Sequence, residues 1–133
     1  MTKIICLIDD DPIYQIITKK IIQKSEKASK IMSFVNGAEA IDGLIGLIHK
    51  PDEFPDIILL DIEMPIMDGW HFMERFEKIK AMFPKETAIY IVSSSIASSD
   101  KEKSKTYKGI LGYFTKPIAF QDVLEIAKAN GGH

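Results

Sequence analysis

Several features that would point to a particular environment or partner are scarce in this sequence. It contains one cysteine, Cys6, so no internal disulfide can form and we expect a reducing compartment. No apolar run approaches the roughly 20 residues of a membrane span, and no N-terminal signal pattern is present. Basic and acidic residues nearly cancel, leaving a formal net charge of −2. This balance predicts neither a nucleic-acid nor a membrane partner, and we expect a soluble, cytoplasmic protein.

The apolar content is sufficient for one folded unit. Hydrophobic residues make up 46% of the 133 positions, which is enough to build a continuous core at this length. No internal repeat, low-complexity stretch or linker interrupts the chain. We therefore predict a single domain over residues 1–133, with nothing left over for an output domain.

Short apolar runs predict a set of buried β-strands. Each run is rich in β-branched or aromatic residues at consecutive positions, which is typical of a parallel strand covered on both faces. Three runs are clear, at residues 4–8, 57–60 and 89–92; a fourth, residues 110–114, is weaker, and residues 31–35 are a fifth, less clear candidate.

Helical periodicity appears between the strands. Apolar residues recur there every three or four positions, which predicts helix faces. These faces comprise Ile13, Ile16, Ile17 and Ile21; Ile41, Leu44, Ile45 and Ile48; Phe72, Met73, Phe76 and Ile79; and Phe120, Val123, Leu124 and Ala127. Residues 99–108 are mostly polar, but Ser99 and Glu102 have capping-box spacing, which predicts a short exposed helix. Five strand–helix alternations favour a doubly wound α/β fold with a parallel sheet.

Polar residues follow four of the predicted strands. They are three aspartates at residues 9–11, Asp61, three serines at residues 93–95, and the segment Thr115-Lys116-Pro117. Because ligands of such folds bind beyond the carboxyl ends of the strands, we expect these groups to share one site. Clustered carboxylates suit Mg²⁺, and a carboxylate can be a nucleophile for phosphoryl groups. Lysine and serine donors would contact the phosphoryl oxygens that carry charge during transfer.

Three motifs of this site resemble those of response-regulator receiver domains in two-component signalling, similar to the stand-alone chemotaxis type. Ile8-Asp9-Asp10 resembles the family's acidic pair, and residues 60–69 (LDIEMPIMDG) resemble its phosphorylation-site signature. Thr115-Lys116-Pro117 resembles its lysine and the proline that follows. The resemblance covers essentially the whole chain, and it implies a flavodoxin-like sheet of five strands, in the order 2-1-3-4-5, with five helices.

The resemblance also implies residue roles. Asp61 would be the phosphoacceptor; Asp10, Asp61 and the main-chain carbonyl of Glu63 would ligate Mg²⁺; and Asp9 would act through a metal-bound water. Lys116 and Ser93 would assist phosphoryl transfer, Ser93 and Tyr113 would form the switch, and the Lys116–Pro117 bond would be cis. A histidine kinase or histidine phosphotransfer protein would donate the phosphoryl group, and a protein target of unknown identity would receive the signal. Such a domain is not an enzyme beyond its own phosphorylation and dephosphorylation.

Other functions compete with this interpretation. A small Mg²⁺-dependent aspartyl phosphatase of the haloacid dehalogenase type needs an acid/base Asp two residues after its nucleophile. Asp9 and Asp11 have that spacing, but no insertion could form a cap domain or a substrate pocket. A receiver-like binding domain would not need the complete acidic, hydroxyl and lysine set. A flavodoxin-like FMN carrier would need a phosphate-cradling loop where this chain has three aspartates.

For a few residues near the predicted site, either two roles remain possible or a structural role is expected. Asp11 either caps the helix that begins at Pro12 or adds to the metal site, and the cap is favoured. We expect Trp70 to pack the third helix on the sheet, with a partly exposed ring as the alternative, and Gly69 to serve a backbone angle. No histidine is assigned to a metal site. His49 and His71 lie on predicted helices, and His133 is at the terminus.

Overall fold

The computed structural model describes residues 3–131 as alternating strands and helices. The strands are β1 (Lys3–Ile8), β2 (Ala28–Phe34), β3 (Ile57–Leu60), β4 (Ala88–Ser93) and β5 (Ile110–Thr115). The helices are α1 (Pro12–Ser25), α2 (Gly37–Ile45), α3 (Gly69–Ile79), α4 (Ser98–Ser104) and α5 (Phe120–Ala129), with a short 3₁₀ turn at Lys80–Met82. The predicted alternation of five strands with five helices is confirmed.

All strand pairs are parallel, and the sheet order is β2-β1-β3-β4-β5, as the resemblance implies. The chain leaves β1 toward β2 and then crosses back to β3, so the strand order reverses between β1 and β3. Asp9 and Asp61 directly follow these two strands, whose last residues, Ile8 and Leu60, are paired. The reversal therefore places both aspartates at the position where open α/β sheets bind ligands.

Alternate residues of the central strands pack on opposite faces of the sheet. Cys6, Ile58 and Leu60 belong to the core layer that includes α2 and α3, whereas Leu7 and Leu59 belong to the layer that includes α1 and α5. The central strands are apolar at consecutive positions because core side chains cover both faces of the sheet. Burial raises the pKa of the Cys6 thiol, so this residue is a neutral core side chain.

Helix α1 is correctly predicted, but the side that it buries is not. Ile13, Ile16 and Ile17 are 69%, 55% and 45% exposed. The buried residues of α1 are Gln15, Thr18, Ile22 and Ser25. Gln15 is required inside because its Nε2 donates to the carbonyl oxygen of Asp9 at 2.6 Å, and also to that of Phe34. A buried carbonyl oxygen without a hydrogen-bond donor costs free energy. The side-chain amide of Gln15 therefore lies inside, and Ile13, Ile16 and Ile17 face outward.

The bounds, caps and buried residues of the other helices also differ in detail from those that the sequence pattern predicted. Helix α4 begins at Ser98 after Ala97, which provides no side-chain cap, so the capping box predicted at Ser99 and Glu102 is wrong. Helix α2 ends at Ile45, and Ile48 therefore lies in the following turn. In α5 the buried residues are Val123, Ile126 and Ala127. Within residues 3–131, no helix has both the length and the apolar character that crossing a bilayer requires.

Candidate functional site

Three carboxylates meet at the carboxyl end of the sheet. Oxygen atoms of Asp9, Asp10 and Asp61 all lie within 4.8 Å of one another. Asp9 and Asp61 are each 6% exposed, whereas Asp10 is exposed. Sheet hydrogen bonds continue beyond the strands and hold the two buried residues: Asp61 N donates to Ile8 O at 2.9 Å, and Asp9 N donates to Phe34 O at 3.1 Å. The backbone therefore fixes the positions of Asp9 and Asp61 within the cluster.

The electrostatics of this cluster favour a cation. Burial, which is the largest cause, raises the pKa of Asp61 to about 6, and the neighbouring charges of Asp9 and Asp10 add to this effect. The ammonium of Lys116 opposes it without offsetting it. Closely spaced carboxylates with residual repulsion are the ligand set that a hard divalent cation such as Mg²⁺ stabilises, so the residues present fit that ion.

An open depression lies beside Asp10. It is lined by Asp10, Ile62, Glu63, Met64, Pro65 and Asp68. The depression connects the acidic cluster to solvent along the segment after β3, which includes Glu63. A small ligand can therefore reach the exposed Asp10 from this side.

Lys116 forms the cationic part of the site. Its Nζ lies 2.7 Å from Asp9 Oδ2, 3.4 Å from Asp61 Oδ2 and 4.3 Å from the centroid of the Tyr14 ring. Burial lowers the pKa of Lys116, but the two carboxylates more than offset that effect, so the net shift is upward. The lysine is therefore charged. The Lys116–Pro117 bond is cis, as the resemblance implies.

Asp11 caps helix α1. Its Oδ1 accepts hydrogen bonds from the backbone nitrogens of Ile13 at 3.0 Å and Tyr14 at 3.2 Å. The cap geometry satisfies two amides that have no partner within the helix. Among the residues that the structure describes, Asp11 does not belong to the carboxylate cluster. The favoured assignment of Asp11 as a cap is confirmed.

Ser93, Ser95 and Tyr113 are connected by hydrogen bonds. Ser93 is only 1% exposed, and its Oγ accepts from Ser95 N at 3.2 Å. Tyr113 OH donates to Ser95 O at 2.9 Å, and Ser95 Oγ donates to Asp100 Oδ2 at 2.5 Å. Ser95 thus joins Ser93, Tyr113 and the first turn of α4. The resemblance names Ser93 and Tyr113, but the sequence did not predict that Ser95 connects them, because periodicity carries no information about the contacts of a loop residue.

The segment between β3 and α3 contains two unusual backbone features. Ile66 has a φ of 69° and is 86% exposed, and Met67 N donates to Pro65 O at 2.7 Å across it. Gly69 does not have a positive φ, so the predicted backbone angle is wrong. A Cβ at Gly69 would lie 2.5 Å from Asp61 O, and glycine is therefore required by the close approach of the two backbone segments.

Trp70 is 8% exposed and packs in the core, as predicted, so the alternative of a partly exposed ring is wrong. The histidines do not form a metal site within the described residues. His71 is exposed on α3, and its Nδ1 lies 2.9 Å from Asp68 Oδ1. His49 is also exposed, but it lies in the turn after α2 and not on a helix as predicted. His133 lies outside the described residues.

Comparisons with known proteins agree with this geometry. Residues 5–128 match the sequence model of the response regulator receiver domain family. The chemotaxis protein CheY of Halobacterium salinarum is 27% identical over 94% of this chain and 93% of its own length. The sensor histidine kinase CheAY of Helicobacter pylori is 34% identical over 68% of this chain, which spans only 11% of that relative. A two-component response regulator from Cytophaga hutchinsonii superposes with a TM-score of 0.90, at 25% identity and 98% coverage of both chains.

Proposed function

The chain belongs to the response regulator receiver domain family of two-component systems, and we propose that it accepts a phosphoryl group on Asp61 with the help of Mg²⁺. The observation that supports this assignment best is the buried Asp61 carboxylate in a cluster with Asp9, Asp10 and Lys116. The family match leaves the haloacid-dehalogenase-type phosphatase unsupported. Our proposal further holds that the chain is a signalling protein whose only catalysis is its own phosphorylation and dephosphorylation.

The acidic cluster would hold the metal. Asp10 and Asp61 would ligate Mg²⁺ directly together with the main-chain carbonyl of Glu63, and Asp9 would contact it through water. When bound, the ion supplies charge neutralisation for the phosphoryl oxygens. Asp10 is suited to direct ligation of the ion because it is exposed beside the open depression. Asp9, in contrast, is buried and paired with Lys116.

Asp61 would act as the nucleophile. A pKa of about 6 leaves its carboxylate largely ionised at neutral pH. One carboxylate oxygen attacks the donor phosphorus, an acyl–phosphate bond forms, and the bond from phosphorus to the donor nitrogen breaks with its electron pair returning to that nitrogen. Lys116, already 3.4 Å from Asp61, would contact one phosphoryl oxygen and offset its charge.

The proposed switch begins at Ser93. A phosphoryl group adds strong acceptors beside this hydroxyl, and a charge-assisted hydrogen bond contributes about 1.5–3 kcal/mol before reorganisation costs. Ser93 Oγ accepts a hydrogen bond from Ser95 N, and Tyr113 OH donates one to Ser95 O. Reorientation of the Ser93 hydroxyl would therefore change the position of Ser95 and the contact that Tyr113 makes with it. The surface formed by α4, β5 and α5 would change as a result, and we propose it as the face that a protein target binds. A coupling of this size shifts a pre-existing equilibrium and does not create one.

We propose a histidine kinase or histidine phosphotransfer protein as the donor and the cytoplasm as the location. One relative is itself a sensor histidine kinase. The exposed isoleucines of α1, Ile13, Ile16 and Ile17, follow the acidic segment directly and offer an apolar surface for a donor protein. Residues 1–133 are proposed to act as one receiver domain, consistent with the single sheet that contains all five strands.

Phosphorylation by a small phosphodonor tests the central proposal. The protein is incubated with acetyl phosphate and Mg²⁺, and intact mass is measured before and after base treatment. Wild type should gain one base-labile phosphoryl group, Asp61→Asn should gain none, and the exposed control Asp52→Asn should behave as wild type. Stoichiometric label on Asp61→Asn would show that the acceptor is another residue.

A further inference from the structure

Helix α4 has few interactions of its own to hold it in place. It has seven residues, Ser98–Ser104, and none of them is apolar. Its N-cap residue, Ala97, makes no side-chain hydrogen bond, and Ser104 is the one buried residue of the helix. Helices this short are not stable alone, so the position of α4 must be set by residues outside it.

Two contacts hold the carboxyl end of α4 against α3. Lys103, on the last turn of α4, places its Nζ 5.0 Å from the centroid of the Trp70 ring. Tyr107, three residues beyond α4, stacks on the same indole with the centroids 6.0 Å apart and the planes 15° from parallel. Stacked aromatic pairs and cation–π contacts are both stabilising. The indole of Trp70 is therefore the attachment point for this end of α4.

The stack is also placed among negative charges. Burial raises the pKa of Tyr107, and the carboxylates of Glu74, Glu77 and Asp68 raise it further. A neutral phenol is thus held beside the acidic edge of α3, where Lys80 pairs with Glu77 and Lys103 lies over the Trp70 ring. Any displacement of Trp70 would change these contacts together.

Trp70 is coupled mechanically to the proposed phosphoacceptor. Gly69 N donates to Ile62 O at 2.8 Å, and the Gly69 Cα faces Asp61 O at a distance that leaves no room for a Cβ. The backbone that precedes Trp70 therefore cannot move independently of residues 61 and 62. The amino end of α4 has a separate connection, which runs from Ser93 through Ser95 to Asp100.

We infer that the Trp70–Tyr107 stack is a second connection through which the state of Asp61 sets the position of α4, acting on its carboxyl end. Trp70 and Tyr107 are positioning residues in this role. The Ser93–Ser95 connection acts on the amino end, so both are needed for α4 to move as one body. This inference rests on the proposed phosphorylation of Asp61. It requires that removing the stack leaves the chemistry at Asp61 intact and uncouples residues 101–108 from it.

Backbone amide chemical shifts measured with beryllofluoride, a phosphoryl mimic, and Mg²⁺ test the inference. Wild type, Tyr107→Leu and Tyr107→Phe are compared, with Lys105→Ala, an exposed substitution directly after α4, as the matched control. In Tyr107→Leu the shift changes at residues 101–108 should fall by about twofold or more, while those at residues 61–69 and 93–95 are retained. Tyr107→Phe keeps the stack, so it and Lys105→Ala should respond as wild type.

The remaining outcomes are distinguishable. A wild-type response of residues 101–108 in folded Tyr107→Leu overturns the inference. If Tyr107→Leu does not fold, Lys103→Met tests the same connection at an exposed position, and an undiminished response there overturns it too. If wild type itself shows no more response than Asp61→Asn, the proposed function fails instead.

Discussion

The ammonium of Lys116 lies closer to Asp9 than to Asp61: Nζ is 2.7 Å from Asp9 Oδ2 and 3.4 Å from Asp61 Oδ2. One cation is therefore shared between two buried carboxylates, and Asp10 adds a third negative charge. Burial is the largest cause that raises the pKa of Asp61, and this shared lysine lowers it without offsetting that effect. It also places Lys116 within a short movement of any group attached to Asp61.

Replacing the lysine should raise the pKa of Asp61 above about 6, because Lys116 is the main influence that lowers it. The measurement is a titration of the Asp61 carboxyl carbon by NMR, without divalent cations, in wild type and Lys116→Met. Lys85→Met is the control, since Lys85 pairs with Asp56 at the amino end of β3. Superimposable titrations of wild type and Lys116→Met would contradict the electrostatic account.

Removing the charge of Asp61 should stabilise the metal-free protein at neutral pH. The pKa is about 6 in the folded state against 3.8 ordinarily, so wild type loses stability as pH rises from about 4 to 6. Asp61→Asn avoids that loss, and its free energy of unfolding should exceed that of wild type by on the order of 1–2 kcal/mol above pH 6. Urea unfolding with a chelator measures the difference, which should shrink at pH 4. An equal difference at both pH values would exclude this cause.

Binding of Mg²⁺ should depend on the three adjacent aspartates to different degrees. Asp10→Ala should weaken affinity by at least about tenfold and more than Asp9→Ala does, because a direct ligand contributes more than a water-mediated one. Asp11→Ser removes the charge but keeps a capping side chain, so it should have the smallest effect. Trp70 fluorescence provides the readout, since Trp70 follows the backbone contact between Gly69 and Asp61. The same affinity in wild type and Asp10→Ala would refute the placement.

The positive φ of Ile66 should cost stability. A β-branched residue is strained at 69°, whereas asparagine tolerates that region. Ile66→Asn should raise the free energy of unfolding by about 1 kcal/mol. Ile96→Asn is the control, because Ile96 is also exposed but has a negative φ, and it should change stability by less than about 0.5 kcal/mol. Equal effects of the two substitutions would show that relief of backbone strain is not the reason.

Removal of the Ser93 hydroxyl should separate phosphorylation from switching. Ser93→Ala should accept a phosphoryl group nearly normally, because the nucleophile, Lys116 and the metal ligands are unchanged. Loaded with beryllofluoride, it should show much smaller amide shift changes than wild type across residues 93–128. The exposed neighbour provides the control Ser94→Ala, which should respond as wild type. If wild type and Ser93→Ala shift alike, Ser93 does not transmit the signal.

The sequence by itself determined the strands and the polar residues that end them. Strands buried on both faces need consecutive apolar residues, and a parallel sheet brings its carboxyl ends to one edge. The shared edge at which Asp9, Asp61, the serines 93–95 and Lys116 lie could therefore be predicted, whereas the choice of Ser93 among the serines came from the family resemblance. The edge strand β2 gave the weakest signal because it is half exposed and needs fewer apolar side chains.

Only the tertiary structure decided which surfaces are buried and which groups touch. The apolar spacing of α1 did not predict that Ile16 is exposed, because the need to satisfy the Asp9 carbonyl places Gln15 inside. The reason for a glycine at position 69 could not be predicted either, since it is the close approach of the backbone at Asp61 and Ile62, eight and seven residues earlier in the chain. Contacts such as Trp70 with Tyr107 join residues far apart in sequence. Local periodicity carries no information about them, because they depend on how helices dock around the finished sheet.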